Sequence, residues 1–291
     1  MVIPTKKLKN GFEMPVLGLG TWQMGGGADN RRDPANDDQR DIAAIKAAIS
    51  LGITHIDSAE SYAEGHSEEL VGEGIKGTER EKLFLVSKVR GNNLNYNGIK
   101  SAIKNSLKRL GTDYLDLYLM HRCPPQELME ECVRAMDELI EEGLTRFIGL
   151  SDTNTRHTRQ LQELSKHKFV AAQAHYNLVI REVEKEGLLN YCQQNDMLLI
   201  AWRPVQMGIT NYEKIPGINE MTKKYNKTPT QIAICWLISQ KNVVTLSKTS
   251  SIKHLKENLG AVGWPMETED VERLRKEFPN QKFISDTVPL A

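Results

Sequence analysis

Cysteine is scarce in this chain: four in 291 residues, at Cys123, Cys132, Cys192 and Cys235, with no Cys-x-x-Cys pair. Scattered thiols of this kind suit a reducing compartment, and a chain this long buries enough surface to need no disulfide scaffold. Cys123 stands beside His121, and packing is expected to account for it. Net charge is also missing, with 38 basic and 38 acidic residues. Nothing therefore steers the chain toward nucleic acid or an acidic membrane. The basic cluster Lys104, Lys108 and Arg109 is spaced as one solvated helix face. No apolar run approaches transmembrane length, and the opening "MVIPTKKLKNG" lacks the apolar core of a signal peptide. The expectation is a soluble, cytoplasmic monomer whose partner is a small molecule.

What the chain has is alternation. Short apolar, β-branched runs at residues 16–20, 54–57, 83–87, 115–120, 145–150, 170–174, 197–202 and 243–247 are separated by amphipathic helical runs. "DDQRDIAAIKAAISLG" opens on acids and stops at a glycine. "YNGIKSAIKNSLKRLG" closes on basic residues and a glycine, and "PPQELMEECVRAMDELIEEG" runs from proline to glycine. "TPTQIAICWLISQ" opens on Thr-Pro. Strands alternating with helices require parallel pairing through crossovers, and near-continuous apolar strands such as "LDLYLM" fit a sheet covered on both faces. Eight repeats match a closed (β/α)8 TIM barrel of the α/β class, one domain over residues 1–291. The preceding "LKNGFEMP" reads as a two-residue Asn-Gly β-hairpin closing one end. The long loop at residues 24–38 is either a lid or a surface loop.

In such a barrel the reactive groups stand at the C-terminal strand ends and in the loops that follow. Asp57 ends the second strand and Tyr62 lies in its loop. Lys88 ends the third and His121 follows the fourth. Each alone has a structural explanation: a turn cap, a packed ring, a snorkelling amine, a backbone-bonded imidazole. Together they make chemical sense as an activated phenol. An ammonium beside a tyrosine stabilises its phenolate and lowers its pKa, while an aspartate holds the ammonium charged. A histidine donating to a carbonyl oxygen completes a general acid beside an oxygen-binding pocket.

The motifs "VLGLGTWQ", "HIDSAESYAEGHSEELVG", "LFLVSKV", "LDLYLMH", "IGLSD", "AAQAHYN", "AWRPVQMG" and "LSKTSSIKHLKEN" occur in one order along nearly the whole chain. In that order and spacing the sequence resembles the aldo-keto reductases. The resemblance implies a barrel that binds a nicotinamide dinucleotide, NADP(H) in preference to NAD(H), and transfers hydride to an aldehyde or ketone. It implies a tetrad of Asp57, Tyr62, Lys88 and His121, with Tyr62 as proton donor. Gly20, Thr21 and Trp22 would flank cofactor and substrate. Ser151, Asp152 and Gln173 would hold the carboxamide, and Trp202 would stack under the nicotinamide ring. Arg203, Pro204, Val205, Gln206, Met207 and Gly208 would wrap the pyrophosphate. Lys248, Thr249, Ser250, His254, Glu257 and Asn258 would surround the adenosine end.

Four positions depart from the family pattern. Asp152 replaces an asparagine; a carboxylate accepts from the carboxamide NH2 but cannot donate to its oxygen, and its charge would favour the oxidised, cationic ring. Trp202 replaces a tyrosine and keeps a broad aromatic face. His254 replaces an arginine that grips a 2′-phosphate, leaving Lys248 and Lys253 as the nearby cations. Arg122 stands where an aromatic residue is frequent, and either points into the substrate pocket or outward as a solvated charge.

Three rival readings make different demands. A metal-dependent hydrolase could use His55, Asp57 and His121, but Ser247 and Lys248 end the eighth strand where an aspartate would be needed. A Schiff-base role for Lys88 needs a depressed pKa, which Asp57 opposes. The third alternative is a cofactor-binding barrel serving a regulatory or structural purpose without significant turnover.

Overall fold

The computed structural model describes residues 2–205 and 216–278, together with Ser285 and Leu290. Thr5–Lys7 (β1) and Glu13–Pro15 (β2) pair antiparallel, with Lys6 opposite Met14. The turn between them differs from the expected two-residue Asn-Gly loop. The Gly11 N–H donates to the Leu8 carbonyl at 3.1 Å and the Leu8 N–H to the Phe12 carbonyl at 2.8 Å, so residues 9–11 form a three-residue loop. A two-residue type I′ turn needs positive φ at both central positions. Here Gly11 has φ +88° and Asn10 does not follow it.

Eight parallel strands close a barrel: Leu17–Gly20 (β3), His55–Asp57 (β4), Phe84–Val89 (β5), Leu115–Met120 (β6), Thr145–Ser151 (β7), Phe169–His175 (β8), Leu198–Trp202 (β9) and Val243–Lys248 (β10). Closure runs through β10 beside β3, with Thr245 opposite Leu17. Every strand end lies within two residues of its sequence expectation.

Helices cover the outside: Asp38–Ser50 (α1), His66–Ile75 (α2), Tyr96–Leu110 (α3), Met129–Glu141 (α4), Thr155–Leu164 (α5), Glu182–Lys185 (α6), Leu188–Gln194 (α7), Pro216–Tyr225 (α8), Pro229–Ile238 (α9), Ile252–Leu259 (α10) and Thr268–Glu277 (α11). Their starts are chemically marked. The Asp37 carboxylate accepts the Arg40 N–H and the Asn95 side chain the Gly98 N–H, while Thr228 and Gln231 form a reciprocal capping box ahead of Pro229. α4 starts later than its prolines suggest, because a 3-10 turn over Gln126–Leu128 intervenes.

The hairpin seals the N-terminal end. Phe12 is fully buried, its ring edge-on to Phe84 (5.8 Å) and Phe147 (4.9 Å). Beside it Gly18 makes room for the His55 ring, since a Cβ there would lie 2.1 Å from Nδ1. The basic cluster on α3 is only partly the solvated face expected of it. Lys104 and Lys108 are exposed, but Arg109 donates to the fully buried Glu68 carboxylate of α2 at 2.7 Å. A buried carboxylate is costly without a cation, and α3 supplies one. No helix among the described residues is long and apolar enough to cross a membrane.

Candidate active site

β4 delivers Asp57 to the C-terminal mouth of the barrel, and the chain then bends sharply. A 3-10 turn over Tyr62–Gly65 holds two consecutive non-glycine residues in the left-handed region, Ala63 at φ 49° and Glu64 at φ 57°. That conformation costs about 1–3 kcal/mol per residue. The first long loop supports it: the Glu64 N–H donates to the Asn30 carbonyl at 3.0 Å. The strained turn swings Tyr62 over Lys88.

Lys88 is completely buried, and its ammonium meets three acceptors: Asp57 Oδ1 at 2.5 Å, the Ser58 carbonyl at 2.7 Å and the Tyr62 hydroxyl at 3.3 Å. Three acceptors match its three N–H donors. Burial favours the neutral amine, but the Asp57 carboxylate and the Tyr62 oxygen together outweigh it and hold Lys88 above its ordinary range. The other Asp57 oxygen accepts from Gln173 Nε2 at 2.8 Å. Because the phenol oxygen accepts from Lys88, its own proton is free to point into the cavity.

The tuning of Tyr62 differs from the sequence expectation. Burial, together with the Asp57 and Asp152 carboxylates, raises its pKa by more than Lys88 lowers it, so the phenol sits above, not below, its ordinary value. The Lys88 charge is spent largely on Asp57, which lies 0.8 Å nearer than the phenol. Tyr62 therefore stays protonated. His121, edge-on to Tyr62 with ring centroids 5.6 Å apart, is held well below the usual histidine range by burial and by the Lys88 and Arg122 cations. It is neutral.

These groups border a cavity of about 690 Å³. Asp57, Tyr62, His121, Gly20, Thr21, Trp22, Ser151, Asp152, Gln173 and Trp202 line it, as do Arg203, Pro204 and Val205, and Lys248, Thr249, His254, Glu257 and Asn258. Lys88 lies behind this wall. Gln206, Met207 and Gly208 fall outside the described residues. Ser250 does not line the cavity: its hydroxyl donates to Asp41 Oδ1 at 2.6 Å, and that buried carboxylate also accepts the Gly25 N–H. The cavity thus extends from the barrel mouth to α10.

Trp202 has one face covered. His175 stacks on it at 4.3 Å and 16° between planes, and the imidazole is itself bonded to Ser285. The indole N–H donates to Asp152 Oδ1 at 3.4 Å. Burial raises the Asp152 carboxyl to about 6, against the pull of Arg122. Its backbone is left-handed, with φ 48°, a region that aspartate and asparagine tolerate better than most residues. Arg203 spans the two tryptophans, its guanidinium carbon 4.9 Å from the Trp22 ring and 5.3 Å from that of Trp202. Arg122 lines the mouth yet is exposed, which places it between its two expected orientations. The loop at residues 24–38 also contributes to the wall: Ala28 and Asn30 line the cavity, and Asn30 Oδ1 accepts from the Trp22 indole at 3.1 Å.

The Aldo/keto reductase family model matches residues 16–277. The chain belongs to the aldo-keto reductase family. Among curated relatives, this aldo-keto reductase is 35% identical to methylglyoxal reductase YeaE of Escherichia coli, over 92% of this chain and 93% of that one. It is 32% identical to glyoxal reductase of Bacillus subtilis, over 93% and 91%. Among solved structures, a thermostable aldo-keto reductase in complex with the inhibitor epalrestat superposes with a TM-score of 0.88 at 38% identity, covering 94% of this chain and all of that one. An aldo/keto reductase from Klebsiella pneumoniae in complex with NADP and acetate does so with a TM-score of 0.82 at 32% identity, covering 97% and 98%.

Several cavity residues escaped sequence reasoning, among them Gln23, Asn30, Ser61, Arg90 and Thr230. Ser61 carried a local signal, since it lies between Asp57 and Tyr62, as did Gln23, which follows Trp22. Cys123 is half-buried and its thiol is pushed up to about 11 by burial, in keeping with packing. His55 packs against Phe84, and neither ring nitrogen has a hydrogen bond among the described residues.

Proposed function

We propose that this aldo-keto reductase reduces small aldehydes or ketones to alcohols with NADPH, using Tyr62 as general acid. The observation that carries the reading is the buried Lys88 ammonium, pinned by Asp57 and bonded to a phenol on a cavity wall. The names of the relatives, reductases of methylglyoxal and glyoxal, support small carbonyl substrates.

The cavity suits a nicotinamide dinucleotide. One face of Trp202 is backed by His175 while the residue still lines the cavity, and polar Ser151, Asp152 and Gln173 stand beside it. At the α10 end, Lys248, Thr249 and His254 offer a cation and polar groups for a 2′-phosphate. Klebsiella pneumoniae relatives are solved in complex with NADP and with NADPH, in support of the phosphorylated form. A reduced nicotinamide, when bound, supplies the hydride for the carbonyl carbon.

The chain's own residues supply the remainder. His121 orients the carbonyl oxygen, and the Tyr62 hydroxyl protonates that oxygen as it becomes an alkoxide. The phenolate left behind is stabilised by Lys88, which Asp57 keeps charged. A phenol above its ordinary pKa is fully protonated at neutral pH, ready for this direction of reaction.

The test is loss of reduced-cofactor absorbance over a panel of aldehydes. Wild type should turn over α-oxoaldehydes, and Tyr62→Phe should lose at least about 100-fold in kcat while binding the cofactor as well. Wild type that binds cofactor but reduces nothing would favour a regulatory or structural barrel. Titrating both dinucleotides decides the cofactor, and tighter binding of NADH would overturn the choice of NADPH.

A further inference from the structure

His121 faces a constraint that its neighbours do not share. Burial and the Lys88 and Arg122 cations keep its ring neutral, so it carries a single N–H. A carbonyl oxygen accepts hydrogen bonds and cannot donate, so the ring nitrogen facing the substrate must be the protonated one. The other nitrogen is then a bare lone pair in a half-buried site.

The structure puts one hydroxyl against that lone pair. Ser61 Oγ lies 3.3 Å from His121 Nδ1, and among the described residues no hydrogen bond reaches Nε2. Both side chains line the cavity. Ser61 immediately precedes Tyr62 on the strained turn, so the same backbone feature places the acid and this hydroxyl. The separation is long for an O–H···N bond, as such contacts often are before substrate arrives.

We propose that Ser61 is a positioning residue that fixes the tautomer of His121. Its O–H donates to Nδ1, which confines the single imidazole proton to Nε2 and aims that N–H at the carbonyl oxygen. A residue without a hydroxyl at position 61 leaves both tautomers accessible, and only one of them binds substrate productively. The inference rests on the carbonyl-reduction reading for its consequence, but the tautomer itself is measurable without turnover.

The experiment is long-range 1H–15N correlation of histidine-labelled free protein at neutral pH, with His121→Gln assigning the resonances. Wild type should show Nε2 protonated and Nδ1 bare. Ser61→Ala should show exchange between tautomers and a kcat about fivefold lower, the loss of one ordinary hydrogen bond. Ser61→Thr, which keeps the hydroxyl, should restore both. An Nδ1-protonated His121 in wild type overturns the proposal, as does a single unchanged tautomer in Ser61→Ala. If wild type reduces no carbonyl, the functional reading falls while the nitrogen spectra still decide the tautomer.

Discussion

The two ends of the barrel each hold a nearly buried aspartate, and the difference between them separates structure from chemistry. Asp57 at the mouth is 2% exposed and Asp116 at the opposite end 4%. Asp116 accepts from Arg80 at 2.7 Å, from Arg146 at 3.2 Å and from the Leu85 N–H at 2.9 Å. Among the described residues its partners bond only to neighbouring parts of the fold, Arg80 to the Leu83 and Tyr114 carbonyls and Arg146 to the Tyr114 hydroxyl, and Asp116 itself ties β5 to β6. Asp57 is bonded just as closely, to Lys88 and Gln173, but its network has an open end. Lys88 passes the connection to Tyr62, and Tyr62 and His121 face a cavity. Equal burial with unequal closure marks the site.

The sharpest way to break the comparison is to remove one buried charge from each end. Lys88→Met leaves Asp57 buried without its counter-charge and should cost about 3–5 kcal/mol of stability as well as nearly all turnover. Asp116→Ala strands Arg80 and the Leu85 N–H and should cost a similar amount in urea unfolding. The fraction that remains folded should keep the wild-type kcat. Loss of kcat in folded Asp116→Ala would mean that the two ends are not separable.

His55 offers a test through pH. It lies fully buried on β4, two residues before Asp57, and burial lowers its pKa to about 4 from an unfolded value near 6.5. The unfolded chain therefore binds its proton first as the solution is acidified. Stability should be complete above about pH 6.5 and fall as pH drops toward 4, by on the order of 3 kcal/mol for this group. Urea midpoints measured across that range should show the loss, and His55→Leu should flatten it. An equally steep slope in the variant would assign the effect to other groups.

The smallest expected effect sharpens the mouth itself. Asp152 is ionised above about pH 6, and its charge should favour the oxidised over the reduced cofactor. Asp152→Asn should shift the ratio of the two affinities about threefold to tenfold toward the reduced form at pH 8. At pH 5, where the carboxyl is protonated, the two proteins should converge. A ratio that is the same in both proteins at pH 8 sinks the idea.

Much of the architecture was legible because it depends on local patterns. Eight apolar runs, glycines after helices and capping residues before them are short-range signals, and they placed every barrel strand. The hairpin was legible as a hairpin but not in its turn, because Asn-Gly fits two registers that differ by one residue and only the backbone of Gly11 selects between them. Arg109 read as solvated because its partner Glu68 lies 41 residues away, on another helix. Ser250 was placed at the adenosine end by its motif, and its rotation toward Asp41 depends on a helix more than 200 residues earlier.

Residue order alone determined the fold class, the strand ends and the four side chains carried to one mouth. A strand's last residue has no choice about which end of a parallel barrel it occupies. Tertiary structure decided what those side chains are to one another. It set the direction of the Tyr62 shift, the hydroxyl against His121, the imidazole behind Trp202 and the closure of the Asp116 network. Each depends on distances of a few ångströms between segments far apart in sequence. At that range burial and charge compete, and sequence spacing carries no information about which prevails.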